Sequence, residues 1–252
     1  MTIKLLAGAE SLSLGHGADA VLLIHGFTGQ PFTMRPLAQA FFAEGFRVEL
    51  PRLPGHGTSV EDLESYRFAD WKALVEERYL DLQQSCEHVV VVGLSMGGTL
   101  ACWLAEHHRE IAGLILINPL IEQTTQENME ALHRELQAGR TTYASPSSDI
   151  KWQGRIGQRY DATPIRPLLS LLEGAISVRD DLGEITAPIL LLTSREDHVV
   201  PPATGDTIVR QVQSHVERIY LENSYHVATL DYDAPELEAR AVAFARKVVG
   251  VQ

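Results

Sequence analysis

Cysteine, positive charge and long apolar runs are all in short supply in this chain of 252 residues. The two cysteines, Cys86 and Cys102, fall at the end of one predicted helix and inside another. Such a pair is expected as small buried hydrophobes in a reducing compartment rather than as a disulfide. Lysine and arginine number 21 against 33 acidic residues, a formal charge of −12. With no basic stripe to displace phosphate counterions, no nucleic-acid partner is expected, and an acidic surface repels anionic membranes. No apolar run approaches the length of a membrane span. The first ten residues carry one basic side chain, Lys4, and too short an apolar run for a secretory signal, so a cytoplasmic protein is expected. His-Glu-x-x-His spacing and a zinc-type cysteine pair are missing, and so is Gly-x-Gly-x-x-Gly after a strand. Neither a metal nor a dinucleotide is implied, and no cofactor is expected.

What remains is ordinary globular material, 45% hydrophobic and 21% charged. The length suits one hydrophobic core, and no linker, internal repeat or low-complexity segment divides it. Short apolar runs over 20–25, 46–50, 88–93, 113–118, 188–194 and 216–221 read as strands. Several lack polar alternation, as strands covered on both sheet faces should. Between them 31–44, 70–86, 95–108, 202–212 and 235–249 read as helices. In the second of these Trp71, Leu74, Val75, Tyr79 and Leu82 recur at three- and four-residue steps, the stripe of a helix packed on a sheet. The alternation predicts an α/β fold with a mostly parallel sheet flanked by helices and right-handed crossovers. Residues 11–14 are a candidate edge strand.

The rhythm breaks between Asn118 and Ile185, where helical stretches at 128–138 and 167–175 flank a polar loop at 145–151. An insertion of roughly 60 residues that adds no strand is expected to be a cap over the strand ends. The expected organisation is a core of 1–118 and 186–252 with a cap insertion at 119–185, a single structural domain with a lid.

The most specific chemistry lies where Val89-Val90-Val91-Val92 runs into Gly93-Leu94-Ser95-Met96-Gly97-Gly98 and a helical pattern follows. Strand, sharp turn and helix around Gly-x-Ser-x-Gly form the context of a nucleophile elbow, with the serine hydroxyl at the tip of a strained turn. Glycines two residues to either side let strand and helix close together. Ser95 is therefore the candidate nucleophile. A serine hydroxyl needs a base within hydrogen-bond reach, and in such sheets an acid and then a histidine follow, each on a loop after a strand. Glu196 and Asp197 follow the strand at 188–194, and position in the loop favours Asp197. His226 follows the strand at 216–221 and is the candidate base. Most of the other histidines read as surface or turn residues. His107 and His108 close a helix, His56 lies in the turn Pro54-Gly55-His56-Gly57, and His198 competes only as the neighbour of Asp197.

Charge that develops on a carbonyl oxygen under attack must meet preorganised N–H groups. Met96, after the nucleophile and at a helix N-terminus, is expected to supply one. Phe27, in His25-Gly26-Phe27-Thr28-Gly29 after an early strand, is expected to supply the other.

Four motifs together carry a resemblance: His25 to Gly29, Gly93 to Gly98, Ser194-Arg195-Glu196-Asp197-His198-Val199-Val200-Pro201-Pro202, and Leu221 to Asp231 with His226 at its centre. They resemble the bacterial monoacylglycerol lipases and carboxylesterases of the α/β-hydrolase superfamily, and the fragment Ser148-Asp149-Ile150-Lys151 is similar to that family's cap. The resemblance implies an α/β-hydrolase fold, Ser95 as nucleophile, Asp197 rather than Glu196 as acid, His226 as base, and Phe27 and Met96 as oxyanion donors in contact with substrate. It implies that Ile150 shapes the pocket near the glycerol side. The implied function is cleavage of carboxylic esters, with monoacylglycerol going to fatty acid and glycerol through an acyl-enzyme. The alternative is a broad carboxylesterase or thioesterase acting on other monoesters. A non-catalytic binding protein of this fold is disfavoured because no triad position is lost. The expected partner is a small-molecule lipid ester. Leu168, Leu169, Leu171, Leu172 and Ile176 either cover an acyl chain or pack the cap onto the core. An apolar cap rim could also meet a lipid surface transiently, or a second copy in a homo-oligomer.

Overall fold

The computed structural model describes residues 4–121, 124–145, 148–154 and 160–250. In chain order the elements are β1 (Leu12–Leu14), β2 (Asp19–Ile24), α1 (Arg35–Ala43), β3 (Arg47–Leu50), α2 (Val60–Leu63), α3 (Phe68–Gln83), β4 (His88–Leu94), α4 (Met96–His107) and β5 (Gly113–Ile117). They continue with α5 (Gln126–Gln137), β6 (Thr142–Ala144), β7 (Ala162–Pro164), α6 (Ile165–Asp181), β8 (Ile189–Ser194), α7 (Thr204–Gln211), β9 (Val216–Leu221) and α8 (Ala234–Val248).

Seven strands form one sheet in the order β1-β3-β2-β4-β5-β8-β9. Only β1 runs antiparallel, pairing Ser13 with Glu49 at the edge. The candidate edge strand is thus real, and the expected parallel α/β sheet is found. The central strands β4, β5 and β8 are buried almost throughout, as runs of valine, leucine and isoleucine covered on both faces must be. Successive residues feed opposite layers. Leu22, Val91, Leu116 and Leu191 join the layer beneath α3, α4 and α6. Leu23, Val92, Ile117 and Leu192 join the one beneath α1 and α8, whose Leu37, Phe41, Leu237 and Phe244 complete it.

The α3 helix begins where Asp70 accepts the Arg67 N–H at 2.8 Å, an acidic side chain in the first turn meeting an orphan donor. Its buried stripe is Phe68, Trp71, Val75, Tyr79 and Leu82.

Residues between β5 and β8 add no strand to the large sheet among the described residues. Instead β6 and β7 make a separate antiparallel pair, with Tyr143 opposite Thr163. Three-residue strands show no alternation to read, so the sequence pattern gives no sign of this pair. The α6 helix also begins earlier and ends later than the sequence pattern suggests. It passes through Gly174, where a Cβ would stand 2.2 Å from the Phe68 ring, so the residue that weakens the helix pattern is the one that lets α6 pack on α3.

Candidate active site

At the carboxyl end of β4 the chain reverses into α4 through Ser95, which has φ 57° and ψ −119°. Only three described non-glycine residues have positive φ, namely Thr28, Ser95 and Asn118, and they lie in the segments that follow the neighbouring strands β2, β4 and β5. Strained residues of this kind persist where their surroundings over-determine them, and they cluster at functional sites. The surroundings here are tight. A Cβ on Gly93 would lie 2.1 Å from the Gly97 carbonyl oxygen, and one on Gly97 would lie 2.1 Å from that of Ile24. The Ser95 N–H is held by the Ile117 carbonyl at 3.0 Å, while its own carbonyl receives Gly98 at 2.9 Å and Leu120 at 3.1 Å.

Asp197 follows β8. Its side chain is 1% exposed, and one oxygen meets His226 Nδ1 at 2.7 Å. The other oxygen accepts the N–H groups of Val199 and Val200 at 2.8 and 2.7 Å. Both oxygens are thus occupied, which fixes the carboxylate and with it the plane of the imidazole. Glu196 turns outward instead, to Lys151 Nζ at 3.2 Å. His198 likewise engages Asp149, at 2.8 Å.

Ser95 and His226 share the wall of a cavity of about 460 Å³. That volume lies in the range of small-molecule sites. Leu120, Leu168, Leu171, Leu172 and Val227 give it apolar walls. Leu169 is buried at 4% exposure but does not line the cavity, so the leucines of α6 divide between cavity wall and core. Ile150 is half-buried, with its N–H on the Ser148 carbonyl at 2.9 Å, and the wall beside it is formed by Ser148 and Asp149.

Met96 is the first residue of α4 and fully buried, so its N–H is among those with no acceptor one turn back. Phe27 lies in the tight turn closed by Gly29 N–H to Gly26 carbonyl at 3.2 Å, and it too lines the cavity. Gly26 brings this turn against the elbow, since a Cβ there would stand 3.3 Å from Ser95 Cβ.

Two histidines outside the triad are buried, one of them from a stretch that reads as a turn. His25 and His56 are both 0% exposed and pack edge to face at 5.1 Å. Phe27 and Trp71 complete the aromatic cluster. His25 Nδ1 donates to the Gly26 carbonyl at 2.9 Å, and Nε2 accepts the Leu53 N–H at 3.1 Å, an arrangement only the neutral ring can make. Burial pushes its pKa down to about 4, and burial likewise holds His56 well below the usual histidine value. The turn around His56 is correctly read, but its ring packs into the core against His25, Phe27 and Trp71.

Asn118 was not anticipated at all. From the end of β5 its amide donates to Ser194 Oγ at 2.9 Å and to the His226 carbonyl at 2.8 Å, while its oxygen accepts the Ser194 N–H at 2.8 Å. It thereby ties the strand before Asp197 to the loop that carries His226. A lone asparagine after a strand offers no motif, so only the left-handed backbone marks it.

Among the described residues no helix is long and apolar enough to cross a membrane, and no group of three or more metal-ligating side chains is assembled.

Comparison with known proteins gives a consistent picture. The sequence pattern of the Hydrolase_4 family, described as serine aminopeptidase, S33, matches residues 15–233. A thermostable monoacylglycerol lipase from Bacillus sp. (strain H-257) is 43% identical over 249 residues, 97% of each chain. A carboxylesterase from Bacillus subtilis (strain 168) is 26% identical, covering 92% of this chain and 94% of its own. Among solved structures, one from work on the metagenome-derived lipolytic enzymes LipS and LipT superposes with a TM-score of 0.92 at 36% identity, covering 97% of this chain and 100% of that one.

Proposed function

Since the chain belongs to the Hydrolase_4 family of α/β-hydrolases, we propose that it is a serine hydrolase of carboxylic esters whose substrate is a monoacylglycerol. The observation that carries the reading is the His226–Asp197 bond of 2.7 Å, with His226 on the wall of the cavity that Ser95 also lines. In this mechanism Ser95 Oγ attacks the ester carbonyl while His226 Nε2 takes its proton. Asp197 keeps the imidazole in the Nδ1–H form and stabilises the imidazolium without taking the proton. The oxyanion is met by the Phe27 and Met96 amides, and loss of one such donor costs about 2.7–4 kcal/mol of barrier. His226 returns its proton to the departing alkoxide, leaving an acyl-enzyme and a free alcohol. It then activates a water that releases the fatty acid and restores the serine.

Residues 119–185 act as a cap in this reading, with the leucines of α6 as the wall for the acyl chain and Ile150 beside its polar end. The monoacylglycerol assignment draws on the Bacillus lipase relative. A broader carboxylesterase is the second reading, favoured by the Bacillus subtilis relative. We place the reaction in the cytoplasm, in keeping with free Cys86 and Cys102. The test compares turnover of 1-monolauroylglycerol, the corresponding diacylglycerol and a short 4-nitrophenyl ester. Preference for the monoacyl substrate is expected. Equal or better activity on the diacyl substrate would remove the monoacylglycerol assignment.

A further inference from the structure

Two carboxylates facing opposite ways clasp residues 148–152 of the inserted segment to the loop that carries His226. Asp149, from the insertion, takes the N–H groups of His198 and His226 on one oxygen, each at 3.1 Å. Its other oxygen meets His198 Nδ1 at 2.8 Å, and its carbonyl accepts the Val227 N–H at 3.0 Å. Asp231, from the histidine loop, is 1% exposed. It accepts the N–H groups of Lys151 at 2.6 Å and Trp152 at 2.9 Å from the insertion, and of Tyr225 and Tyr232, both at 2.9 Å, from its own loop.

The placement of Asp149 matters more than the number of its bonds. His198 is the residue after Asp197, so one side chain grips the backbones of both the acid loop and the base loop where they leave β8 and β9. A carboxylate is a stronger hydrogen-bond acceptor than a neutral oxygen, and each of these contacts leaves the Asp197–His226 contact itself untouched. Asp197 holds the ring and Asp149 holds the backbone from which the ring projects, so both bear on where Nε2 stands relative to Ser95.

We propose that Asp149 is a positioning residue for the His226–Asp197 pair, so that the inserted segment completes the scaffold of the site as well as shaping its cavity. The inference rests on the catalytic reading above, but one of its tests does not need turnover.

The experiment compares Asp149→Ala and Asp149→Asn with the unaltered protein. Asparagine keeps an oxygen for the two backbone N–H groups, whereas alanine keeps nothing. Kinetics are measured on 1-monolauroylglycerol and on 4-nitrophenyl acetate, which is too small to reach far into the cavity. The proton between His226 Nδ1 and Asp197 is followed by NMR in the imidazolium form. In Asp149→Ala, kcat is expected to fall on both esters by about tenfold to a hundredfold, the scale of misplacing a reacting group by a fraction of an ångström. KM is expected to stay close to its original value, and the proton signal to shift or broaden. Asp149→Asn is expected to restore both kcat and signal.

Unchanged kcat and signal in the alanine variant would overturn the proposal. So would a loss confined to KM for the monoacylglycerol, which would make Asp149 a substrate contact. Should the alanine variant not fold, Asp149→Glu replaces it: the longer arm displaces the carboxylate, so the signal must be disturbed there and kept in Asp149→Asn. Identical signals in those two variants would overturn the proposal. If the unaltered protein cleaves neither ester while the signal responds as described, the catalytic reading fails and the clasp stands.

Discussion

Ser95 pays for its position in backbone strain, and that strain does not depend on its hydroxyl. Alanine adopts the same φ of 57° at similar cost, so Ser95→Ala is expected to abolish ester turnover while leaving the melting temperature nearly unchanged. A large loss of stability in a melting curve would make the residue structural. The flanking glycines behave oppositely. Gly97→Ala would push a Cβ to 2.1 Å from the Ile24 carbonyl oxygen, where the obstacle is backbone and cannot rotate away. Denaturant melts should show a loss beyond the 1–3 kcal/mol typical of overpacking; a loss under about 1 kcal/mol would mean that strand and helix are free to separate. At this scale the sequence was readable where chemistry forces a pattern, as in Gly93, Ser95 and Gly97. It was unreadable where a residue acts only through tertiary bonds. Asn118 has no local signature, because its partners Ser194 and His226 lie far along the chain. His56 is buried despite its turn sequence, because exposure follows from packing against Trp71 and Phe27.

The elements of the large sheet follow from runs of apolar residues long enough to show burial on two faces. The insertion does not, because its order comes from anchors distant in sequence. Tyr160 Oη accepts the Thr58 N–H at 2.9 Å and donates to the Gly55 carbonyl at 2.6 Å. Ser170 Oγ accepts the first N–H of α3, from Phe68, at 3.1 Å. These contacts seat α6 with Leu168, Leu171 and Leu172 toward the cavity. Filling part of that space should shorten what it accepts. Leu168→Trp is expected to lower kcat/KM for long acyl chains about tenfold or more while sparing 4-nitrophenyl acetate. The comparison is a chain-length series on both proteins; a uniform drop across the series would place the acyl chain elsewhere.

For the whole molecule, pH acts through groups outside the triad, half-buried Glu106 and buried His25. Burial, reinforced by the charge of Asp181, raises Glu106 from 4.5 to about 8. The folded protein therefore holds a proton that the unfolded chain releases, and stability falls as pH rises from about 4.5 to about 8. Glu106→Gln is expected to remove that decline, melting above the unaltered protein at alkaline pH and level with it below pH 4.5; parallel melting curves across that window would refute the assignment. His25 works in the opposite direction. Its lowered pKa means the unfolded chain binds the proton first, so stability is lost as pH falls from 6.5 toward 4.

Ester cleavage by this molecule requires Ser95, His226 and Asp197 to converge at one end of the sheet. The most direct measurement is reaction of the folded protein with a fluorophosphonate ester, followed by intact mass and peptide mapping. One adduct on Ser95 is predicted, absent in Ser95→Ala and slowed by orders of magnitude in His226→Ala, with ester hydrolysis lost in step. Hydrolysis that continues in a protein unlabelled at Ser95, or labelling at full rate without His226, would contradict it.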